Sequence, residues 1–358
     1  MTETSTVAGV VVRELRDTDQ DKWGEFLAQH PDSNLYHTLE WRDFVREVFG
    51  HRPIYLLAEK SGGLSGVLPM FLVKAPLLGS KLISMPYDIG SGGALTVDSE
   101  TEVALAQAAI ARAREEGGDD LQLRYASERP ALDSLNMEQS GPVILSELEL
   151  RDEETVWKNV GVDQRQSVNR AQKRGVTIRD VETREDFRDL ERVILEVFRD
   201  FGTPPYGPRY FDVLWRRMQN TGQLKGVLAH VEKRCVGAQL LFCSGSTMIC
   251  KFSLCLPEAA SLRVNAALYW RAIELAITGG YRKLSFGTSS LDQTGLIKFK
   301  DRWGSQSRPV SIYSLPVRGK VPDIGKYYDS AGLERRIWRK LPLPLTRVGG
   351  TILSRWFC

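Results

Sequence analysis

Apolar positions recur along this chain with two alternating periods, one typical of strands and the other typical of helices. In the first half, two β-rich runs flank a Ser-Gly-Gly turn at residues 61–63, which predicts a β-hairpin. An Ala-rich segment with helical spacing then stops at Gly117-Gly118, a pattern typical of a helix C-terminus. The predicted elements are strands at 55–58 and 66–73, a helix at 101–116, and strands at 121–125 and 143–150.

The second half shows a similar succession of elements. Its spacing predicts several helices, then an antiparallel meander with turns at Lys233-Arg234 and at residues 244–246. A long helix follows and is again closed by two glycines, Gly279-Gly280. The predicted elements are helices at 155–174, 184–201 and 210–219, strands at 228–232, 238–244 and 247–254, a helix at 264–278 and a strand at 283–286.

Because the two halves share this plan without a visible sequence repeat, we interpret the chain as a structural duplication. The predicted fold class is α/β (α+β), with mixed, largely antiparallel sheets flanked by helices. The predicted domains are residues 1–151 and 152–316, followed by a basic tail at 317–358. Duplicated domains commonly hold a ligand cleft at their interface, and we expect one here.

Composition narrows the function classes. Apolar residues make up 42% of the 358 residues and charged residues 26%, which is a globular balance. The net charge of +3 argues against a general DNA-binding protein. The five cysteines form no C-x-x-C pair and the four histidines form no H-E-x-x-H motif, so no metal site is expected. The N-terminus lacks a basic region before its short apolar run, and no run approaches the ~20 residues of a membrane span, which predicts a cytoplasmic protein.

The segment from Asn265 to Gly304 carries the sharpest candidate chemistry. A loop rich in Gly, Ser and Thr follows the strand at 283–286, and such a loop can bring backbone N–H groups close to a substrate oxygen. If the following Lys-Phe-Lys segment is extended, Lys298 and Lys300 share one face and Phe299 packs on the other. The alternative is a turn and an edge strand protected by solvated lysines.

A second candidate is the basic helix around residues 165–174. Arg165, Asn169 and Lys173 align on one row of this helix, and Gln166, Arg170 and Arg174 form the adjacent row. Two such rows suit a diphosphate or another phosphate. The alternative is a solvated face whose basic side chains favour the helix C-terminus.

Taken together, these motifs resemble one family. The segments N-A-A-L-Y-W-R-A-I, G-Y-R-K-L-S-F-G-T-S and G-L-I-K-F-K-D-R-W-G are similar to those of the FemAB-like branch of the GNAT acyltransferase superfamily. The segment R-Q-S-V-N-R-A-Q-K-R-G-V resembles the Arg-rich helix of that branch. The segment F-G-T-P-P-Y resembles the FemAB-related subgroup associated with exosortase, exopolysaccharide loci and PEP-CTERM systems. The resemblance covers about residues 33–316.

The resemblance implies two GNAT-like domains and the transfer of an acyl or aminoacyl group to an amine of a cell-envelope precursor, related to peptidoglycan or exopolysaccharide. It places Lys300 near the reacting carbonyl, as the residue that stabilises the oxyanion. Arg165, Asn169 and Lys173 are the matches for the residues that hold the diphosphate of the acceptor. Three further residues are expected to shape the pocket: Tyr269, Ser289 and Trp303.

One departure from the family pattern leaves the donor open. The acyl-CoA signature is R/Q-x-x-G-x-G/A, and this chain has Arg263, Ala266 and Leu268 at the three specified positions. The two donors considered are therefore acyl-CoA and aminoacyl-tRNA, with no bound cofactor. Because the signature is degraded and no general base is evident, the alternative function is a non-catalytic module that binds an envelope precursor or a partner enzyme.

The tail differs in charge from the rest of the chain, with nine Lys/Arg against three Asp/Glu from Val317 to Cys358. Basic residues surround an apolar helical face at 333–345, and Trp356 and Phe357 follow. Such segments suit an anionic membrane, which predicts peripheral attachment at the inner membrane face. The alternative is a C-terminal helix packed on the second domain.

Overall fold

The structure is a computed structural model that describes residues 5–7, 9–75, 79–90, 92–141, 143–204, 206–318 and 338–355. The strands are β1 (Ser5–Val7), β2 (Val10–Glu14), β3 (Arg52–Lys60), β4 (Gly63–Ala75), β5 (Gly79–Ile83), β6 (Leu95–Thr96), β7 (Asp120–Tyr125), β8 (Glu138–Ser140), β9 (Val143–Glu149), β10 (Val176–Asp180), β11 (Leu224–Val231), β12 (Arg234–Ser244), β13 (Thr247–Cys255), β14 (Lys283–Ser290), β15 (Gln306–Pro309) and β16 (Ser311–Pro316). The helices are α1 (Gln20–Gln29), α2 (Leu39–Phe49), α3 (Ser99–Glu115), α4 (Glu153–Asn159), α5 (Val162–Lys173), α6 (Arg184–Phe201), α7 (Pro208–Met218), α8 (Val264–Thr278), α9 (Thr294–Asp301) and α10 (Leu343–Leu353).

The chain divides into two compact units. Unit 1 comprises residues 1–144, 308–326 and 355–358, and unit 2 comprises residues 145–307 and 327–354. Each unit carries a mixed, largely antiparallel sheet with helices against it, which confirms the predicted fold class. Among the described residues, no helix is both long and apolar enough to cross a bilayer.

Unit 1 is built on a sheet of order β1-β2-β3-β4-β5-β7-β16-β8, with β6 paired to β4. The predicted hairpin is formed by β3 and β4, and α3 packs its alanines on this sheet. Helix α3 starts where the Asp98 side chain accepts a hydrogen bond from the Thr101 N–H at 2.8 Å, and it ends before Gly117 at a φ of 65°. The sequence therefore specifies this unit mainly through caps and alternating apolar residues.

Strand β16 lies in the sheet of unit 1, although the predicted boundaries placed residues 311–316 in the second domain. It pairs antiparallel with β7 on one side and with β8 on the other. Its Ile312 and Tyr313 are buried there. The alternation of apolar and polar residues in a strand indicates which face is buried but not which distant strand will be its partner. The sequence pattern therefore could not show that β16 joins the sheet of unit 1.

Unit 2 is built on a sheet of order β10-β11-β12-β13-β14-β9-β15. The predicted meander is formed by β11, β12 and β13, and α6 and α8 pack against these strands. Helix α6 begins with a capping box in which the Thr183 hydroxyl accepts from the Asp186 N–H at 3.1 Å and the Asp186 carboxylate accepts from the Thr183 N–H at 2.9 Å.

Two predicted elements of unit 2 differ from the structure. The helix predicted at 155–174 is two helices, α4 and α5, because the chain turns at Gly161, whose N–H donates to the Arg302 carbonyl at 2.7 Å. The extended conformation considered for the segment with Lys298 and Lys300 would place both lysines on one face. That interpretation is wrong, because the segment belongs to helix α9, where residues two apart point in different directions. Lys298 is exposed and Lys300 is buried.

Residues Leu343–Leu353 of the tail form α10, which packs against α6 and α7 of unit 2 as the packing alternative predicts. Gly207, before α7, lies so close to this helix that a Cβ built on it would come within 2.0 Å of the Thr351 hydroxyl. Residues 319–337 and 356–358, which include the start of the predicted amphipathic segment at 333–345 and Trp356 and Phe357, lie outside the described residues.

Candidate active site

The candidate site of unit 2 begins where two parallel strands stop pairing. Strands β13 and β14 pair over three residue pairs, from Thr247↔Lys283 to Ile249↔Ser285, and both strands continue beyond them. Just beyond these pairs, β13 has a β-bulge on its other side, where it pairs with β12. Cys250 pairs with Leu241 and Phe252 with the adjacent Leu240, so Lys251 is an extra residue of β13 in the register with β12. A β-bulge bends its strand, so the bulge and the end of pairing open a wedge between β13 and β14.

Lys300 of α9 is hydrogen-bonded to β14, the strand on one side of this wedge. Its Nζ donates hydrogen bonds to the backbone carbonyls of Gly287 at 2.8 Å and Thr288 at 3.1 Å. Gly287 adopts a φ of 70°, a left-handed conformation that favours glycine. An ammonium group has three donors, so one remains for a ligand after these two bonds. The structure thus holds a cation beside the wedge.

Burial sets the protonation of this lysine. The residue is 3% exposed, and burial lowers the pKa of the Lys300 ammonium to about 8. The nearby thiol of Cys250 stays protonated, because burial raises its pKa to about 12. Lys300 is therefore mainly charged at pH 7 and loses its charge as the pH rises above 8.

Aromatic side chains form a cluster next to Lys300. The ring of Tyr269, from α8, lies edge-on to those of Phe286 and Phe299 at 5.2 Å each and stacks with Trp303 at 5.8 Å. Burial raises the pKa of the Tyr269 hydroxyl well above its usual range, so this residue is neutral. Two polar atoms nearby in the chain, Ser289 Oγ and Trp303 Nε1, are buried and have no hydrogen-bond partner among the described residues. Buried polar atoms normally have partners, so these two atoms are exceptions within the core next to Lys300.

A polar cavity of about 410 Å³ lies at the start of α8. Arginines from three segments line it, namely Arg170 of α5, Arg263 before α8 and Arg302 after α9. The Asn265 side chain also lines it, and its buried Oδ1 has no partner among the described residues. Since the positive end of the α8 dipole points here as well, the cavity suits an anion such as phosphate.

The structure brings part of the predicted site together. Lys300 lies beside the wedge, and Tyr269 and Trp303 belong to the aromatic cluster next to it. Ser289 lies on β14, one residue after Thr288, whose carbonyl accepts from Lys300. The predicted diphosphate row on α5 is not gathered at the polar cavity: Asn169 lines a different groove, and Arg165 and Lys173 line neither. The adjacent row supplies Gln166 and Arg170 to the cavity instead. Helical spacing predicted the row of Arg165, Asn169 and Lys173 and the neighbouring positions of Gln166 and Arg170, but not which row faces the cavity; Arg174 follows the last residue of α5.

Sequence reasoning missed Gln239 and the bulge at Lys251. Gln239 is fully buried on β12, and its Nε2 contacts Cys250 Sγ at 3.6 Å while its Oε1 has no partner among the described residues. A lone amide within the apolar run Gly237–Phe242 was the signal that could have identified it. Nothing in the sequence pattern marks Lys251 as an extra residue.

Comparisons with known proteins agree with this geometry. Residues 163–300 match the sequence family described as acetyltransferase (GNAT) domain. The crystal structure of FemX is similar over 89% of this chain and 100% of its own, with a TM-score of 0.68 and 14% identity. A search of the curated proteins finds no match.

Two further solved structures share the fold. The C-terminal domain of a protein from Agrobacterium fabrum, described as a lysylphosphatidylglycerol synthetase, matches with a TM-score of 0.54 and 12% identity, over 83% of this chain and 91% of its own. A tandem GNAT protein from the clavulanic acid biosynthesis pathway matches with a TM-score of 0.53 and 11% identity, over 87% and 100%.

These findings define the class of the protein. The chain carries a GNAT acyltransferase domain that spans most of unit 2. The matched residues, 163–300, include the wedge, Lys300 and every residue named above for the polar cavity except Arg302. Its fold is that of the FemAB-like branch of the GNAT acyltransferases. The protein is an acyltransferase.

Proposed function

We propose that this protein transfers an acyl or aminoacyl group to an amine of a cell-envelope precursor, with Lys300 as the group that stabilises the transition state. The observation that carries the proposal is the buried Lys300 ammonium, held by two backbone carbonyls beside the wedge between β13 and β14. No covalent enzyme intermediate is needed for this chemistry.

In the proposed reaction the neutral amine of the acceptor attacks the ester or thioester carbonyl of the donor. The C–N bond forms as the carbonyl oxygen gains negative charge, and the tetrahedral intermediate then collapses with loss of the donor's alcohol or thiol. In this proposal the remaining N–H of Lys300 donates to this oxyanion, and a fixed positive charge in a buried site stabilises it more strongly than water does. The nitrogen loses its extra proton to solvent or to the leaving group.

The polar cavity supports a donor that carries phosphate. Both donors under consideration, acyl-CoA and aminoacyl-tRNA, carry phosphate groups, and the arginines at the start of α8 match that charge. A Cβ is present at Ala266, where the acyl-CoA signature has glycine, so the backbone approach that this signature provides is restricted here. The choice between the two donors is therefore an experimental question.

The envelope acceptor rests on the family resemblance and on the structural neighbours. The name of one neighbour couples a lysyl group with phosphatidylglycerol, a membrane phospholipid. The association with exosortase and exopolysaccharide systems stays a prediction from the F-G-T-P-P-Y segment.

A ligand screen followed by turnover tests the proposal. Thermal shifts are measured with acetyl-CoA, a long-chain acyl-CoA, an aminoacyl-tRNA and a UDP-muramyl-peptide, and each stabilising donor is then combined with each stabilising acceptor. The proposal expects a donor and an acceptor that together give an N-acylated product, detected by mass spectrometry. Stabilisation by both ligands without any product supports the non-catalytic binding module instead.

A further inference from the structure

A second groove of unit 2 lies apart from the wedge and the polar cavity. Its volume is about 880 Å³, and it is bordered by α4, α5, α8 and β10. Helix α5 separates it from the polar cavity, since Gln166 and Arg170 face that cavity while Asn169 and Gln172 face the groove. The groove therefore belongs to neither part of the candidate active site.

Strand β10 presents its free edge to this groove. Within the part of the chain that the structure describes, it is the terminal strand of its sheet and pairs with β11 alone. Three consecutive residues, Val176, Thr177 and Ile178, line the groove. Because successive side chains of a strand point to opposite faces, a cavity that touches all three borders the edge of the strand.

The hydrogen-bond register shows which backbone groups are directed outward. The Val181 N–H donates to the Gly226 carbonyl at 2.9 Å, so these two residues form a hydrogen-bonded pair of the β10–β11 ladder. Such pairs alternate along an antiparallel ladder, which directs Arg179 and Thr177 toward β11. The N–H and C=O of Ile178 then point away from β11, toward a further strand.

The walls of the groove combine aromatic faces with negative charge. Trp157 of α4 and Trp270 of α8 lie with ring centroids 4.3 Å apart at 62°. Three carboxylates line the groove, Glu153, Glu154 and Glu274, and Arg271 is the cation among the described residues that line it. Arg271 binds Asp180 at 2.7 and 3.0 Å and Glu274 at 3.1 Å, and Lys158 donates to Glu154 at 2.6 Å. The four carboxylates, with Asp180 included, and these two cations leave a net charge of −2 at the groove.

We infer that this groove binds an extended, basic peptide segment of a partner protein, which adds to β10 as a further strand. The outward N–H and C=O of Ile178 pair with the backbone of the peptide. Its Lys or Arg side chains lie against the two indoles and near the carboxylates, where cation–π contacts and charge attraction act together. Two features select one occupant: the strand edge requires an extended backbone, and the aromatic and acidic walls favour cationic side chains.

Calorimetric titration of the full chain with short peptides tests this inference. The probe is a hexapeptide of alternating Lys and Val, and the matched control is the same peptide with Glu in place of Lys. We expect saturable binding of the Lys peptide that weakens as salt rises, and at least tenfold weaker binding of the Glu peptide. Equal binding of the two peptides, or binding of neither, overturns the inference.

Variants separate the strand edge from the walls. Ile178→Pro removes the outward N–H but no bond to β11, and proline is tolerated at such edge positions, so we expect at least a tenfold loss of peptide affinity with little change in melting temperature. Trp270→Phe and the double change Glu153→Gln with Glu274→Gln should each weaken binding several-fold. Glu258→Gln, an exposed carboxylate that pairs with Arg234 elsewhere in unit 2, is the charge control and should bind like the native chain.

Spermine provides the final comparison, because it carries the charge without a peptide backbone. We expect it to bind more weakly than the Lys peptide and to be unaffected by Ile178→Pro. If spermine binds as tightly as the peptide, and Ile178→Pro leaves peptide binding unchanged, the groove is a simple cation site and strand addition is contradicted.

Discussion

Lys300 holds its charge in a place where burial opposes it. Two carbonyl acceptors, those of Gly287 and Thr288, compensate in part for the lost hydration, yet the pKa still falls to about 8 from an ordinary value of 10.5. Preorganised charges of this kind are characteristic of sites that stabilise developing negative charge. If Lys300 only had to donate hydrogen bonds to the carbonyls of Gly287 and Thr288, an uncharged side-chain donor would serve as well.

The lowered pKa of Lys300 predicts a pH-dependent contribution to stability. Between pH 8 and 10.5 the unfolded chain keeps a proton on this lysine that the folded chain has released, so this group makes the free energy of unfolding rise with pH across that window. Lys300→Met removes the contribution. The unfolding free energy of the native chain minus that of the variant, from urea titrations at pH 8, 9 and 10, should increase with pH. A difference that stays flat would show that the pKa is not depressed.

At the scale of elements, much of unit 2 could be predicted from local patterns. Helix α8 has the predicted bounds, and the meander of β11, β12 and β13 is present, because periodic apolar residues and Gly-rich ends specify such elements locally. The site between them could be predicted less well. The end of β13–β14 pairing, the bulge at Lys251 and the helical state of α9 depend on tertiary contacts that no local pattern encodes.

The two rows of α5 offer a matched pair of arginines. Arg170 lines the polar cavity and Arg165, five residues earlier on the same helix, does not. Arg170→Ala should raise the KM for the phosphate-bearing donor about tenfold, roughly the effect of losing one charge-assisted hydrogen bond, and should leave kcat within a few-fold. Arg165→Ala is the control and should leave KM nearly unchanged. If steady-state kinetics show that Arg165→Ala raises KM more than Arg170→Ala does, the anion is bound by the predicted row of Arg165, Asn169 and Lys173 instead.

Packing of α10 makes a prediction about the tail. Gly207→Ala places a methyl group against Thr351, and overpacking of this kind typically costs about 1–3 kcal/mol. Thr351→Ala removes the nearest atom, so adding it to the first variant should recover part of the loss. Urea denaturation of the two single variants and the double variant measures this coupling. Strictly additive effects would mean that the two residues do not meet.

At the scale of the whole molecule, the open question is what the basic tail does beyond forming α10. We propose that residues after about 317 hold the protein at an anionic membrane surface, where a lipid-linked acceptor would be concentrated. Flotation with anionic liposomes should show salt-sensitive binding by the full chain and its loss in a chain that ends at Pro316. Equal behaviour of the two chains would leave packing as the function of the tail.

The reaction itself tests the account most directly. With the donor and acceptor found by the ligand screen, kcat is measured for the native chain, for Lys300→Ala and for Lys298→Ala, an exposed lysine two residues earlier on α9. The account predicts that Lys300→Ala still folds and binds donor but turns over at least about a hundredfold more slowly, as expected from ~2.7–4 kcal/mol of lost oxyanion stabilisation. Lys298→Ala should retain kcat within about twofold, less than ~0.5 kcal/mol of barrier. Unchanged turnover by Lys300→Ala with the correct substrates would contradict the role of Lys300 and with it the proposed mechanism.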